Sequence, residues 1–300
     1  MVTAPYATEE PMSMPPFRLV DAFTATPFAG NPAGVVLLER PRPVEWMRSV
    51  AAEVNASETA FVVADTEAPE DWQLRWFTPT VEVDLCGHAT LATAHVLWQD
   101  GLAAPDATLR FHTRVGVLTA EMEDGQIMLD LPAWPVVGDH PAPARLGPAL
   151  GISPGADRAG IVGARYLGRT AGNAGATDTG TGQTNDVVLL PEEAAVRDLA
   201  PDLAEVAALG SGGLIVTAPA DGDGDFVSRY FAPALGVPED PVTGSAHATL
   251  GPWWASELGR HTLVARQVSR RGGHVRVRVE GDRVLVGGQA VTVIAGEITG

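Results

Sequence analysis

An internal repeat of a strand, a short acidic loop and an apolar helix is the feature of this sequence that most constrains its fold. The segment Arg75-Trp-Phe-Thr-Pro returns as Arg229-Tyr-Phe-Ala-Pro. A glycine then opens a helix, 12 residues after the first arginine (Gly87) and 15 after the second (Gly244). The sequence therefore predicts two copies of one structural unit.

The two helices of this repeat are apolar on nearly every side. Aligning the repeats on their glycines pairs His88 with Ser245, whereas aligning them on His-Ala-Thr pairs His88 with His247. We prefer the glycines, because close approach to a helix start is a backbone requirement. A helix without a polar face must be enclosed. We therefore expect an α+β fold in which each half wraps a curved, mostly antiparallel sheet around one central apolar helix.

The chain length suggests two domains. At ~150 residues per domain, 300 residues are enough for two cores. We predict a disordered tail at 1–16, an N-terminal domain at 17–135 and a C-terminal domain at 145–289. The Pro-rich segment 140–145 links them, and a last strand at about 290–300 is expected to return to the first domain.

Local patterns predict several further elements. Apolar spacing favours a helix over 44–54, and turn signals divide 108–131 into a three-stranded meander. Residues 192–209 have the pattern of one amphipathic helix. Residues 171–185 are rich in Gly, Thr and Asn, which is typical of a loop.

Charge and cysteine content exclude several classes of protein. Asp and Glu number 37 against 20 Lys and Arg, a net charge of −17 that disfavours nucleic-acid and membrane partners. No apolar run predicts a transmembrane helix, and no signal peptide is predicted. The single cysteine, Cys86, forms no internal disulfide, so we expect a cytoplasmic location.

The acidic surface would also repel an anionic substrate unless a local positive potential offset it. The N-termini of the two apolar helices supply such a potential, because each carries free N–H donors and about half a positive charge. The peptides Gly87-His88 and Gly244-Ser245 therefore predict a carboxylate-binding site. Ordinary helix caps are the alternative interpretation of either glycine taken singly.

The catalytic candidate is Glu58, in the segment Asn55-Ala-Ser-Glu-Thr-Ala-Phe. It lies between a predicted helix and an apolar strand. A carboxyl group in apolar surroundings has a raised pKa, which suits alternating uptake and release of a proton. From local sequence alone, a solvated loop glutamate is the competing interpretation.

Four segments, taken in order, resemble the motifs of the phenazine-biosynthesis PhzF-like family within the diaminopimelate epimerase fold. They cover most of the chain, from about residue 17 to 258. The segments are 21–35 (DAFTATPFAGNPAGV), 55–62 (NASETAFV), 75–79 (RWFTP) with 85–92 (LCGHATLA), and 225–233 (DFVSRYFAP) with 239–247 (EDPVTGSAH).

The resemblance implies two pseudo-symmetric domains with the active site between them, and a homodimer as the usual state. It also implies proton relocation on a dihydro-hydroxyanthranilate or another small carboxylic acid, without a metal or an organic cofactor. Catalytic roles are implied for Glu58 as general acid/base and for His88 and Asp240, which orient the substrate. Substrate binding is expected from Ser57, Gly87, Thr243, Gly244 and Ser245.

Rival functions remain open to different degrees. A non-catalytic binder of small molecules would keep the same cleft. A racemase using Cys86 alone is conceivable, because a thiol at a helix N-terminus has a lowered pKa, whereas a two-thiol mechanism lacks its second cysteine.

A metal site of Cys86, His88, His95 and His247 is disfavoured, since two turns of helix, about 10.5 Å, separate His88 from His95. Neither a dinucleotide-binding motif nor a nucleophile elbow is present.

Overall fold

The computed structural model describes residues 14–65, 68, 71–138, 141–151, 163–170 and 184–299. Most of the predicted tail and most of the predicted loop 171–185 lie outside these residues, as does residue 140 of the predicted linker. The tail prediction was too long at its end, because Pro16 already belongs to the first strand.

Each half contains the same series of elements. The first half has strands β1 (Pro16–Ala22), β2 (Asn31–Leu38), β3 (Glu58–Ala64), β4 (Asp71–Phe77), β5 (Glu82–Val83), β6 (Leu109–Thr113), β7 (Gly116–Glu123), β8 (Gln126–Pro132) and β9 (Val136–Val137), with helices α1 (Val44–Val54) and α2 (Gly87–Gln99). The second half has short helices α3 (Leu146–Ala149), α4 (Glu193–Arg197) and α5 (Leu203–Ala207), the long helix α6 (Gly244–Leu258), a 3-10 turn (Pro233–Leu235), and strands β10 (Arg165–Thr170), β11 (Asn185–Leu189), β12 (Gly213–Pro219), β13 (Phe226–Ala232), β14 (Val237–Asp240), β15 (Thr262–Gln267), β16 (Gly273–Glu280), β17 (Arg283–Gly288) and β18 (Ala290–Glu297).

Strand pairing repeats the same order in both halves. In the first, β2 and β3 are parallel, β4 lies antiparallel to β3 and parallel to β6, and β6 to β8 form a meander. In the second, β11, β12, β13, β15, β16 and β17 follow the same pattern. The pairs β8–β17 and β1–β18 join the halves. The predicted α+β class is confirmed, whereas the domain boundaries stay a prediction.

One predicted helix was wrong. The expected helix over 192–209 is two short helices, α4 and α5, separated by residues 198–202. Pro201 explains the break, since proline lacks an N–H donor and its ring clashes with the preceding turn. Asp202 then starts α5 by accepting hydrogen bonds from the backbone N–H groups of Ala204 and Glu205.

The central helices α2 and α6 are enclosed as their composition predicts. Buried side chains lie all round both helices, and both contribute to one apolar core that also receives residues from the strands around them. Smaller apolar clusters lie outside this core, one against α1 and one against α4 and α5. Among the described residues, no helix is long and apolar enough to cross a membrane.

Two equivalent ion pairs hold the acidic loops that precede the central helices. Arg75 donates two hydrogen bonds of 2.7 Å to the carboxylate of Glu82, between β4 and the β5 strand. Arg229 does the same with Glu239, between β13 and β14, at 2.7 and 3.1 Å. These fork-shaped pairs fix the direction in which each loop enters its helix.

Candidate active site

The N-termini of α2 and α6 meet at the centre of the molecule. A methyl group added to Gly87 would lie 3.5 Å from the Cα atom of Gly244, and the reverse holds equally. The residues before the helices, Cys86 and Thr243, are extended and make no side-chain cap hydrogen bond. The first N–H groups of both helices therefore converge without a side-chain cap from these residues, an arrangement that favours an anion.

Glu58 lies beside this junction as the first residue of β3. Its side chain is 15% exposed, and its Oε2 atom lies 3.2 Å from Nε2 of His88. Burial and, to a smaller extent, the negative charge of Asp240 raise the pKa of Glu58 to about 8, although a hydrogen bond from the Cys86 thiol lowers it. At neutral pH this carboxyl group is therefore largely protonated, about one pH unit below its midpoint.

His88, the second residue of α2, faces the same space. Burial lowers its pKa to about 3, so the imidazole is neutral at physiological pH. Its Nδ1 atom lies 3.4 Å from Sγ of Cys86. Its Nε2 atom is enclosed and makes no hydrogen bond to the described residues. This nitrogen therefore faces Oε2 of Glu58 at 3.2 Å without an aligned hydrogen bond.

Asp240 reaches the junction from the second half, at the end of β14. Burial raises its pKa to about 6, although hydrogen bonds from Thr243 and Asn31 lower it. The Thr243 hydroxyl donates to Oδ2, and the Asn31 amide donates to Oδ1 at 2.8 Å. Asp240 is therefore largely ionised at neutral pH, in contrast to Glu58.

The remaining predicted residues occupy different positions around the junction. Ser57 precedes Glu58, and its hydroxyl donates to Oδ1 of Asn31 at 3.3 Å, so it is already engaged. Ser245 is the second residue of α6, partly buried, at the position that His88 occupies in α2. The structure thus brings the predicted residues of both halves to the two facing helix starts.

Sequence reasoning missed two residues of this site. Asn31 was quoted within the segment 21–35 without a role, but it begins β2 and is fully buried. Gln267, at the end of β15, is also fully buried and hydrogen-bonds the backbone of Asp240 and Thr243. The Gly-Asn-Pro motif contained a signal for Asn31. No local pattern distinguished Gln267, because its role depends on strand pairing far along the chain.

The prediction of a lowered thiol pKa for Cys86 was wrong. Burial raises the pKa of this thiol well above its usual value, and the nearby Glu58 charge raises it further. The nearby backbone N–H of Ala89 lowers it, but this effect is smaller. The thiol is therefore protonated at neutral pH, where a helix N-terminus alone would have favoured the thiolate.

One group of three described residues has the spacing of a metal site. The ligand atoms of Glu58, Cys86 and His88 lie within 4.8 Å of one another. The other histidines of the metal hypothesis lie apart from them: His95 contacts Thr292, and His247 lies between Ser228 and Thr243.

This group is a poor fit for a cation. The carboxyl and thiol groups both have raised pKa values, so both must release protons that their surroundings hold. The neighbouring helix N-termini, which begin at Gly87 and Gly244, place positive potential on the same space. The chemistry of the donor set therefore favours an anionic ligand.

Comparisons with known proteins agree with this geometry. Residues 20–296 match the profile of the PhzC-PhzF family, described as phenazine biosynthesis-like protein. An uncharacterized isomerase of Pseudomonas aeruginosa is 46% identical over 94% of this chain and 97% of its own length. An uncharacterized isomerase of Halalkalibacterium halodurans is 39% identical over 96% and 99%.

A solved structure extends the similarity to three dimensions. The PhzF-family phenazine biosynthesis protein of Enterococcus faecalis superposes with a TM-score of 0.80 at 38% identity, covering 95% of this chain and 99% of that one. The profile match and the relatives each span nearly the whole sequence. The chain therefore belongs to the phenazine biosynthesis-like family and is an isomerase of that family.

Proposed function

We propose that this protein is a cofactor-independent isomerase or epimerase that moves a proton on a small carboxylic acid, with Glu58 as general acid/base. One observation supports this most strongly. Glu58 is nearly enclosed, has a pKa of about 8, and lies 3.2 Å from a neutral histidine beside two uncapped helix N-termini. A group that must both take and give a proton near neutral pH needs such a pKa.

The substrate carboxylate is held by the N–H groups of the peptides that begin α2 and α6, at Gly87 and Gly244. His88 and Asp240 orient its other polar groups. The Glu58 carboxylate accepts a proton from a carbon next to the conjugated acid, and the electron pair of the broken C–H bond enters the π system. Glu58 then returns the proton to another carbon, or to the other face of the same carbon. The reaction therefore consumes no co-reactant.

Deuterium uptake from D2O tests this proposal. Wild-type protein is incubated with a panel of cyclic unsaturated acids and amino acids that includes dihydro-hydroxyanthranilate, and label is read by NMR and mass spectrometry. We expect uptake into one compound with wild type, and a loss of about 10²–10⁴-fold with Glu58→Gln. Glu53→Gln, an exposed glutamate on α1, is the matched control and should keep full activity.

Two other outcomes would each contradict the proposal. Equal ligand binding by wild type and Glu58→Gln, with no label entering any ligand, would indicate a non-catalytic binder. Full label uptake with Glu58→Gln would mean that another group transfers the proton. Cys86→Ala would then test the thiol, which is the remaining candidate within contact of His88.

Assembly and location are part of the same proposal. We propose that the protein works as a homodimer in the cytoplasm, with neither metal nor organic cofactor. Light scattering coupled to size exclusion measures the molar mass against 31.3 kDa for one chain. Activity that survives dialysis against a chelator, with no bound chromophore, is the expected result. A monomeric active species would contradict the first part, and reversible loss on chelation the second.

A further inference from the structure

Asn31 connects the acid/base segments of the two halves through one side-chain amide. Its Nδ2 group donates to Oδ1 of Asp240 at 2.8 Å and to the carbonyl of Val242 at 2.9 Å. Its Oδ1 atom accepts from the hydroxyl of Ser57, the neighbour of Glu58. The residue itself is fully buried. All of these partners except Ser57 belong to the second half of the chain.

The partners of Asn31 fix the orientation of its amide. The Val242 carbonyl can only accept, so the nitrogen must face it, and the two amide hydrogens are then both used. In this orientation the second amide hydrogen points at Oδ1 of Asp240, and a flipped amide could not make both hydrogen bonds. Oδ1 of Asp240 is therefore held as an acceptor.

Gln267 fixes the second oxygen of Asp240 by the same logic. Its Oε1 accepts from the N–H of Thr243 at 2.8 Å, so its Nε2 must face the Asp240 carbonyl, at 2.7 Å, and the Thr243 hydroxyl oxygen, at 3.2 Å. The hydroxyl oxygen of Thr243 thus already accepts a hydrogen, and its own hydrogen is directed to Oδ2 of Asp240. Both carboxylate oxygens of Asp240 face fixed donors.

We propose that Asn31 is a positioning residue that, together with Gln267 acting through Thr243, holds Asp240 as the carboxylate and leaves the exchangeable proton of the cleft on Glu58. The inference rests on the proposed acid/base function of Glu58 for its catalytic meaning. A protonated Asp240 would have to turn its O–H toward a donor, which costs about 1–3 kcal/mol for the hydrogen bond lost in a buried site.

The acidic groups around Asp240 disfavour its ionised form, so the effect of the donors on its pKa should be measurable. Glu58, Glu239 and the phenol of Tyr230 face the same space, and the Cys86 thiol lies beside Glu58. The carboxylates among these groups disfavour a negative charge on Asp240 when they are ionised. The phenol and the thiol stay protonated at neutral pH. Glu239 is neutralised in part by Arg229. The fixed donors, together with the positive potential of the helix N-termini, favour ionised Asp240.

A carbon-13 NMR titration of aspartate carboxyl carbons tests the inference without substrate. The signal that disappears in Asp240→Asn is assigned to Asp240, and it should titrate near pH 6 in wild type. In Asn31→Leu its midpoint is expected to rise by about one pH unit or more, a tenfold gain in proton affinity. Thr217→Val deletes another buried polar group, whose hydroxyl donates to the carbonyl of Val227 and accepts from Trp254, and should leave the midpoint unchanged.

Gln267→Met provides an independent variant. It removes the group that orients the Thr243 hydroxyl and keeps Asn31, so a smaller rise in the same direction is expected. Near-UV circular dichroism checks that each variant is folded, and Gln267→Met carries the test if Asn31→Leu is not. An unchanged midpoint in a folded Asn31→Leu or Gln267→Met protein, or an equal rise in Thr217→Val, overturns the inference.

The result is separable from the proposed function. Deuterium exchange by wild type together with unchanged midpoints in the folded variants would reject the role of Asn31 and keep Glu58 catalysis. Shifted midpoints in a protein that exchanges no proton with any compound would keep the role of Asn31 toward Asp240 and reject the isomerase. In the variants that retain exchange, the acidic limb of the kcat/KM profile, which Glu58 sets, should move to lower pH, because a protonated Asp240 no longer raises the pKa of Glu58.

Discussion

In the first half of the molecule β3 begins with Glu58, whereas the equivalent strand of the second half, β12, begins with Gly213. Each lies three residues before the partner of its repeat arginine, Arg75 or Arg229, so the two positions correspond. A side chain at Gly213 would collide with the ring of Tyr230, 2.6 Å from its Cβ position. The second half therefore has no room for a counterpart of Glu58.

Asp240 shows the reverse difference. It pairs with Tyr230 in the second half, and the equivalent pair in the first half joins Trp76 to Val83. Each half thus provides one carboxyl group at a position that the other half leaves without one. The repeat places one helix N-terminus from each half at the junction. The residues that differ between the halves provide two carboxyl groups, with pKa values of about 8 for Glu58 and about 6 for Asp240. Separated values of this kind leave the exchangeable proton on Glu58 and the negative charge on Asp240.

The largest expected effect of the difference between Glu58 and Asp240 is on how the stability of the protein depends on pH. Folded Glu58 keeps its proton up to about pH 8, whereas the unfolded group releases it near 4.5. The unfolded state binds fewer protons in this window, so wild-type stability falls as pH rises through it. Glu58→Gln removes the penalty and should be more stable than wild type at pH 9, by at most about 5 kcal/mol, with no gain at pH 4.

Asp240→Asn should gain less, because two effects oppose each other. It places an amide against the donors of Asn31 and Thr243, at a cost of about 1–3 kcal/mol. It also removes a charge whose pKa is raised by burial from 3.8 to about 6, which offsets that cost by at most about 3 kcal/mol above pH 6 and by little at pH 4. Urea unfolding at pH 4, 7 and 9 measures both variants, with Glu53→Gln as an exposed control. If the difference in free energy of unfolding between Glu58→Gln and wild type did not vary with pH, Glu58 would not have the raised pKa that distinguishes it from Asp240.

The pH dependence of catalysis should show the same asymmetry. If the carboxylate form of Glu58 accepts the proton, kcat/KM rises about tenfold per pH unit from pH 6 and levels off above about 8. Asp240 raises the pKa of Glu58 by its charge, so any residual activity of Asp240→Asn should show a lower midpoint. A rate profile with its limb near 4.5, unaffected by Asp240→Asn, would argue against Glu58 as the base.

The two arginine–glutamate pairs should differ in strength. Arg229 is 12% exposed and also donates to the carbonyls of Val196, Arg197 and Leu199, whereas Arg75 is 35% exposed and makes no such bonds among the described residues. Arg229→Lys is expected to lower the free energy of unfolding by about 2–3 kcal/mol, and Arg75→Lys by about 1 kcal/mol or less. Denaturant unfolding of both variants measures this, and equal losses would mean that the pairs are equivalent.

The repeat was readable from sequence because its signals are local. Glycines, apolar helices and the arginine motifs predicted the two enclosed helices and their facing N-termini, whereas the family resemblance supplied the expected roles of Glu58, His88 and Asp240. The protonation state of Cys86 was not predictable in this way, because burial by distant residues outweighs the helix end that sequence reveals. Asn31 was given no role for a related reason: its partners in the second half lie more than 200 residues away.

The helix N-termini themselves should respond alike if one ligand contacts both. A methyl group at Gly87 or Gly244 would make ordinary van der Waals contacts, the nearest at 3.5 Å, so the fold should tolerate either alanine. The methyl group would nevertheless occupy the space in which a carboxylate approaches the N–H groups, and we expect about tenfold weaker binding in each variant. Gly147→Ala, whose added methyl meets nothing within 4 Å, is the control. Calorimetric titration with the compound that exchanges deuterium measures all three. Weaker binding in only one variant would mean that the carboxylate is held by one helix. The two helix starts would then be alike in backbone structure but not in ligand binding.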